Sequence, residues 1–452
     1  MKSTYDLTEG KPLKVIMLFA IPLFLGNIFQ QFYNLVDIAI VGHVLGDEAF
    51  AAVGATSSIL NLFFGLAYGV PNGFSVVIAQ FFGAKEYAKM KKAVAMSVLI
   101  GIMICVFLSA IGLMVMDSLL VFLSTPDEIM VNAKTYIYIV IGFLVVTMTY
   151  NVLAAVLRAI GNTTMPLVFL IISCVLNIGL DFLFVAGFGF GVAGAAYATV
   201  ISQAISAVLC FIYLIKKCPL LAVSKEDFQL DWEIIRELLA SGLSMGLMLS
   251  IVSIGSVALQ SAINQFGTTT ISAHTAARKF VETMMMPLAT LSMSSSTFAS
   301  QNLGAGKIDR IKKGITTTLM IAAIWSVFVN VIGYLFAAPV VKLISGTSSL
   351  EVITTAKLYI RINVPFYFVL IFLLILRMTL QGLKRKIVPL IASFVELSGK
   401  FMVVWLLVPP LGYLGICFAE PITWSICAIM VVADFLFLLK KLKNTEEIVL
   451  LS

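Results

Sequence analysis

The stretch QFFGAKEYAKMKK at residues 80–92 returns as QNLGAGKIDRIKK at 301–313. Gln80, Gly83, Ala84, Lys91 and Lys92 match Gln301, Gly304, Ala305, Lys312 and Lys313, all displaced by 221 positions. Gly191, Gly194 and Ala198 recur as Gly412, Gly415 and Ala419 at the same displacement, and Pro166 recurs as Pro389 at 223. Chance identities between apolar helices are common, but a polar loop motif kept at one offset is not. The chain therefore reads as two copies of one unit, at 1–216 and 238–452. The polar stretch KKCPLLAVSKEDFQLDWEIIRE, which brackets a linker at 217–237, separates them.

What each copy is made of follows from composition. Of the 452 residues 60% are hydrophobic and 12% charged, whereas soluble domains carry about 45–50% apolar and about 25% charged residues. A bilayer crossing needs roughly 20 predominantly apolar residues. Twelve such runs are present, at 15–38, 50–80, 93–116, 135–157, 166–186, 192–215, 238–263, 280–300, 314–338, 356–380, 387–408 and 413–438. The first carries Pro22, Asn27, Gln30, Gln31 and Asp37, with no short apolar core and small-residue cleavage site, so it reads as a retained helix rather than a signal peptide. The expected fold is an all-α membrane protein of twelve transmembrane helices. Six crossings return the chain to its starting side, so the two six-helix bundles insert alike and are related by a pseudo-two-fold axis along the membrane normal. That is a transporter plan, with the substrate path at the repeat interface.

The net charge of +7 is a topology signal. Lys134, Arg278, Lys279, Lys342, Lys357 and Arg361 fall on one side of the predicted crossings, and Lys400 lies inside one. The other 23 of the 30 Lys and Arg residues fall on the opposite side, with Arg377 counted among them beside the basic run 384–386. The positive-inside rule then puts both termini in the cytoplasm, and no nucleic-acid partner is needed to explain the charge. The 6 Cys form no CxxC pair and the 2 His, at 43 and 274, fall in predicted loops, so neither a disulfide framework nor a structural zinc site is expected. No GxxxxGK[ST] loop and no Ser/His/Asp arrangement is present. The chain reads as a non-enzyme without a cofactor, driven by an ion gradient.

Ionisable side chains inside crossings are costly and mark function by default. In the first copy they are Asp37 in the first run and Asp181 in the fifth. Asn177 and Asp181 are spaced i, i+4 and share a helix face, and Thr199 adds a hydroxyl from the sixth run. Two carboxylates with amide and hydroxyl oxygens make a site for a hard cation such as Na+, or for a shared proton. Pro22, fifteen residues before Asp37, removes a backbone hydrogen bond and permits a kink. Soft side chains such as Met245, Met248 and Met284–Met286 suit varied apolar ligands.

The repeat offsets take Asp37 to Ala258, Asn177 to Lys400, Asp181 to Val404 and Thr199 to Glu420. Symmetry is broken at the polar positions and kept in the scaffold. Lys400, with Glu396 one turn earlier and Glu420 on the next run, is either a permanent internal ion pair of the mechanism or a fixed packing pair. Glu282 and Asp434 are expected near the membrane interfaces in structural roles.

Taken together, IPLFLGNIFQQFYNLVDIAIVG (21–42), the repeated QxxGA loop, LRAIGNTTMP (157–166), LNIGLDFLF (176–184) and GVAGAAYATVISQ (191–203) resemble the multidrug and toxic compound extrusion (MATE) transporters. The resemblance covers nearly the whole chain, is nearest the DinF-like branch, and falls within the MOP flippase superfamily. It implies a V-shaped pair of six-helix bundles in a bacterial plasma membrane, acting as a monomeric Na+ or H+ antiporter that expels cationic and amphipathic compounds. By that resemblance Asp37 is the coupling carboxylate, with Asn177, Asp181, Thr199 and Asn151 around it and Tyr33 and Pro22 as the Tyr and hinge Pro of the first helix. One departure is clear. The run SGLSMGLMLSIVSIGSVALQSAINQ (241–265) has no acid where the Na+-driven branch carries a Glu. A flippase for a lipid-linked precursor is the competing expectation, and it calls for a cavity rich in Lys and Arg, whereas the intramembrane set read from sequence is mainly acidic.

Overall fold

The computed structural model describes the backbone of residues 5–122 and 125–451. Helices account for nearly all of it, and no β-strand occurs among the described residues. Lipid offers no hydrogen bonds, so an apolar run that crosses it must satisfy its backbone internally, as a helix does. The α-helices are α1 Pro12–Leu45, α2 Asp47–Gly83, α3 Tyr87–Phe122, α4 Asp127–Gly142, α5 Leu144–Ala159, α6 Thr164–Asp181, α7 Gly191–Lys217 and α8 Trp232–Ile263. They continue as α9 Gly267–Gly304, α10 Ile308–Leu335, α11 Ala337–Ser345, α12 Leu350–Asn363, α13 Tyr367–Gly382, α14 Ile387–Leu411 and α15 Tyr413–Leu451.

Two pairs make one crossing each. Helices α4 and α5 meet at Phe143 with a 44° bend, and α12 and α13 are joined by a 3-10 turn, Val364–Phe366, that contains Pro365. The 221-residue displacement carries Phe143 onto Val364, so both copies break the same crossing at the same place. With α8 and α9 taken as separate crossings on either side of the turn Asn264–Phe266, and α11 too short to cross, the described residues hold twelve apolar crossings, as the sequence predicts.

The repeated loop motif has a structural meaning. In α2 the Ala84 N–H closes on the Gln80 carbonyl, and in α9 the Ala305 N–H closes on the Gln301 carbonyl. Each helix is then left by a residue with positive φ, Lys85 at 60° and Gly306 at 69°. A second matched pair follows the 223-residue displacement, Gly161 at 85° and Lys384 at 64°. The only two described non-glycine residues with positive φ therefore occupy positions whose repeat mates are glycines.

The chain forms two compact units. One is Met1–Asp6 with Met17–Ser250, the other Leu7–Ile16 with Ile251–Ser452. The division falls inside α8 because of a glycine stripe on α2. A Cβ on Gly73 would stand 2.3 Å from the Ser241 carbonyl oxygen, one on Gly69 2.5 Å from the Gly246 Cα, and one on Gly65 2.8 Å from the Ser250 hydroxyl. Small residues four apart let two membrane helices approach this closely, and they hold the first part of α8 in the first unit. In the second unit the N-terminal segment docks on the repeated loop. The Leu7 N–H donates to Gln301 Oε1 at 2.9 Å, Asn302 donates to the Leu7 carbonyl at 3.2 Å, and Lys307 to that of Thr8 at 2.9 Å. Arg310 donates to the carbonyls of Leu7, Glu9 and Gly10.

Three local expectations are corrected. Helix α9 begins at 267, not 280, because the segment GTTTISAHTAARKF is too polar to register as a crossing yet buries Ala273, Ala276, Ala277 and Phe280 at helical spacing. His274 and Arg278 are thus helical rather than in a loop, and His43 lies in the last turn of α1, its Nδ1 against the Ala39 carbonyl. Arg377 is not part of the basic loop. It is buried within α13.

Candidate ion-coupling site

In the first unit α1 presents Tyr33 and Asp37 one turn apart, both buried. Helix α6 presents Asn177 and Asp181, each with no exposed surface. Asp181 is the last residue before a π-helical segment, Phe182–Gly187. Such a bulge widens the turn and often accompanies a functional site; the second copy has α14 running unbroken through the corresponding positions.

The carboxyl of Asp37 neighbours that of Asp181, with the Tyr136 hydroxyl of α4 beside it. Thr199 of α7 is adjacent to the Tyr33 hydroxyl. The structure thus brings together Tyr33, Asp37, Asp181 and Thr199, with Asn177 one turn from Asp181 on the same helix. Tyr136 is an addition that sequence reading misses, since Tyr in an apolar run such as TYIYIV (135–140) reads as packing. A narrow cavity that reaches Tyr33 is lined by Gln30, Tyr33, Tyr68, Thr147, Asn151 and Gln203 among others, so Asn151 and Tyr33 face one space. Pro22 lies inside α1, which continues as one helix through it.

The atoms in this group are of the kind that a cation or a proton could use. Tyr33 Oη, one Asp37 oxygen, both Asp181 oxygens, both Asn177 amide atoms, Asn151 Nδ2 and the Thr199 hydroxyl are buried and, beyond the close approaches of Tyr33 to Thr199 and of Asp37 to Asp181, have no hydrogen-bond partner within the described residues. A buried polar atom left unpaired costs about 1–3 kcal/mol, so this many in one place is a standing demand for a ligand. The oxygens suit a small hard cation, and two adjacent carboxylates suit a shared proton equally well.

The second unit is built differently. Glu396 of α14 lies between two bases, Arg377 Nη2 at 2.9 Å and Lys400 Nζ at 3.2 Å. Glu420 of α15 accepts from Tyr359 Oη at 2.7 Å and stands 3.8 Å from Arg278 Nη1. Arg278 also holds Glu282 at 2.8 Å and the Ser256 hydroxyl at 3.0 Å. His274 is buried, its Nδ1 3.1 Å from Tyr413 Oη. Lys400, Glu396 and Glu420 are thus buried in the second unit, and Arg278 and Arg377 join them, so the intramembrane set is not mainly acidic. Asp434 pairs with Arg385. The side chain of Ala258, the repeat mate of Asp37, lies outside the described residues, as do those of Lys2 and Lys443 among the counted bases.

Twelve apolar crossings in two repeated units, with carboxylates buried inside both, define a multi-pass membrane protein of the transporter type. The MatE family model matches residues 22–183 and 245–424. The chain is 29% identical over 308 residues to the probable multidrug resistance protein YpnP of Bacillus subtilis, covering 68% of each chain. It is 24% identical over 416 residues to the probable multidrug resistance protein NorM of Thermotoga maritima, covering 89% of this chain and 87% of that one. A crystal structure of a MATE protein in its bent conformation superposes with a TM-score of 0.90 at 23% identity, over 98% of this chain and 99% of that one. The chain belongs to the MatE family, the multidrug and toxic compound extrusion transporters.

Proposed function

We propose that the protein is a cation-coupled antiporter that exports cationic or amphipathic compounds, with the coupling ion bound at Asp37 and Asp181. The observation that carries this reading is the pair of adjacent buried carboxylates surrounded by unpaired oxygens. Binding a cation satisfies these atoms, and releasing it leaves them exposed to repulsion, so occupancy and conformation are linked. A ligand can shift a conformational equilibrium only through such differential affinity. The relatives named above as probable multidrug resistance proteins support export of drug-like molecules as the work done.

The ion we favour is H+. Its support is the absence of an acid in 241–265 together with the closeness of Asp37 to Asp181, which suits one proton held between two carboxylates. Asn177, Asp181, Thr199 and Asp37 supply the oxygens that Na+ would use instead. No cofactor enters this reading. Basic residues gathered on one side support cytoplasmic termini in the plasma membrane. The bases of the second unit are engaged by Glu396, Glu420 and Glu282, so they do not form the free basic cavity that a pyrophosphate-lipid flippase calls for.

Ethidium efflux from a pump-deficient bacterial host tests the reading. Efflux is expected to follow the pH gradient and to ignore Na+ at constant pH. Efflux driven by an inward Na+ gradient at equal pH, and lost in Asp181→Asn, would overturn the proton assignment and keep the site. No efflux of ethidium or other organic cations under either gradient would overturn the transport reading itself.

A further inference from the structure

Six charged side chains in the second unit follow one another with alternating sign. Arg377 meets Glu396 at 2.9 Å, and Lys400 meets the other oxygen of Glu396 at 3.2 Å. Lys400 lies near Glu420 without pairing with it, its ion pair being the one with Glu396. Arg278 stands 3.8 Å from Glu420 and 2.8 Å from Glu282. Four helices contribute, α13, α14, α15 and α9. Three bases match three acids, so the run sums to zero.

Two aromatic neighbours complete the cluster. Tyr359 donates to Glu420, and the His274 ring packs edge-on against Tyr359 with centroids 4.6 Å apart. The seat of Lys400 is shaped for it as well. A Cβ on Gly255 of α8 would approach the Lys400 Cδ to 3.1 Å, so glycine there leaves room for the stem. In the first unit the charge differs. Asp37 and Asp181 neighbour each other and tyrosines, and among the described residues no Lys or Arg pairs with either.

We propose that Arg377, Lys400 and Arg278 are resident counter-ions that take the place of a coupling cation in the second unit. This inference rests on the antiport reading above. A covalently attached base stays with its carboxylate in every state of the cycle, so the second unit neither takes up nor gives up an ion. A cation that approached Glu396 or Glu420 would meet two fixed positive charges in a low-dielectric interior, where like charges repel strongly. All ion exchange then falls to Asp37 and Asp181, and the two copies divide the labour that their common scaffold would let them share.

The test is the number of ions displaced by ethidium from purified protein in weakly buffered detergent, read as protons with a pH indicator and as 22Na+ in parallel. Wild type should release ions on binding ethidium. The Asp37→Asn/Asp181→Asn protein, saturated with ethidium by fluorescence polarisation, should release none. The charge-balanced pair Arg377→Met/Glu396→Gln should release as many ions per ethidium as wild type, and so should Lys400→Arg, which keeps the charge and is the less disruptive change. Continued release from the Asp37/Asp181 variant, or loss of release with ethidium binding intact in both second-unit variants, would overturn the proposal. A wild type that binds ethidium and releases neither ion would instead overturn the antiport reading on which it stands.

Discussion

Asp37 and Asp181 were legible in the sequence because a carboxylate in an apolar run has no cheap explanation. Asn177 followed from its helical spacing to Asp181. Tyr136 and Arg377 were not legible, for different physical reasons. A Tyr among Ile and Val reads as ordinary packing, and Arg377 stands near the end of its run, close enough to residues 384–386 to pass for a loop residue. The repeat makes a sharper statement at residue scale. Lys85 and Lys384 hold positive φ where their mates are Gly306 and Gly161, and an L-residue pays about 1–2 kcal/mol for that conformation. Glycine pays more entropy on ordering, so a net gain of about 0.5–1 kcal/mol is expected for each of Lys85→Gly and Lys384→Gly. Thermal unfolding in detergent should show both variants melting above wild type, and melting below it would mean that the lysine side chains contribute more than their backbone strain costs.

Among the elements, crossings were easy to find and their ends were not. Hydropathy located twelve runs, yet it began α9 thirteen residues late because Thr, Ser and His dominate a segment whose buried face is alanine and phenylalanine. It also gave no hint that α8 is shared between units. That feature depends on what faces Gly65, Gly69 and Gly73, a contact between helices far apart in sequence. The stripe makes a clear prediction. Gly73→Ala puts a methyl group within 2.3 Å of the Ser241 carbonyl, where backbone must shift, and overpacking of this kind costs about 1–3 kcal/mol. Gly54, also in α2, has nothing within 4 Å of its Cβ position. Gly54→Ala should therefore be neutral or stabilising by helix propensity, up to about 1 kcal/mol. Equal melting temperatures for the two alanine variants would show that α2 and α8 do not approach each other as described.

At the scale of the whole molecule, one scaffold is used twice with different polar residues in each copy. Loop caps, broken crossings and positive-φ positions recur in both copies, whereas among the described residues the π-helical segment after Asp181 and the adjacent carboxylates without a basic partner occur in the first, and the alternating charges in the second. Sequence offsets exposed this asymmetry, since Asn177 maps to Lys400 and Thr199 to Glu420. They could not show that Arg278 and Arg377 complete the neutralisation, because offsets compare positions and not neighbours. Ion coupling, as proposed, falls to one carboxylate pair, Asp37 and Asp181. Its most direct test is ethidium accumulation in proteoliposomes energised by a pH step alone, without Na+, comparing wild type with Asp37→Asn. The amide keeps the volume of the carboxylate but cannot change charge, so the variant should reconstitute and melt like wild type yet accumulate no ethidium above protein-free vesicles. Accumulation by Asp37→Asn at the wild-type rate would contradict the assignment of Asp37 as the coupling group.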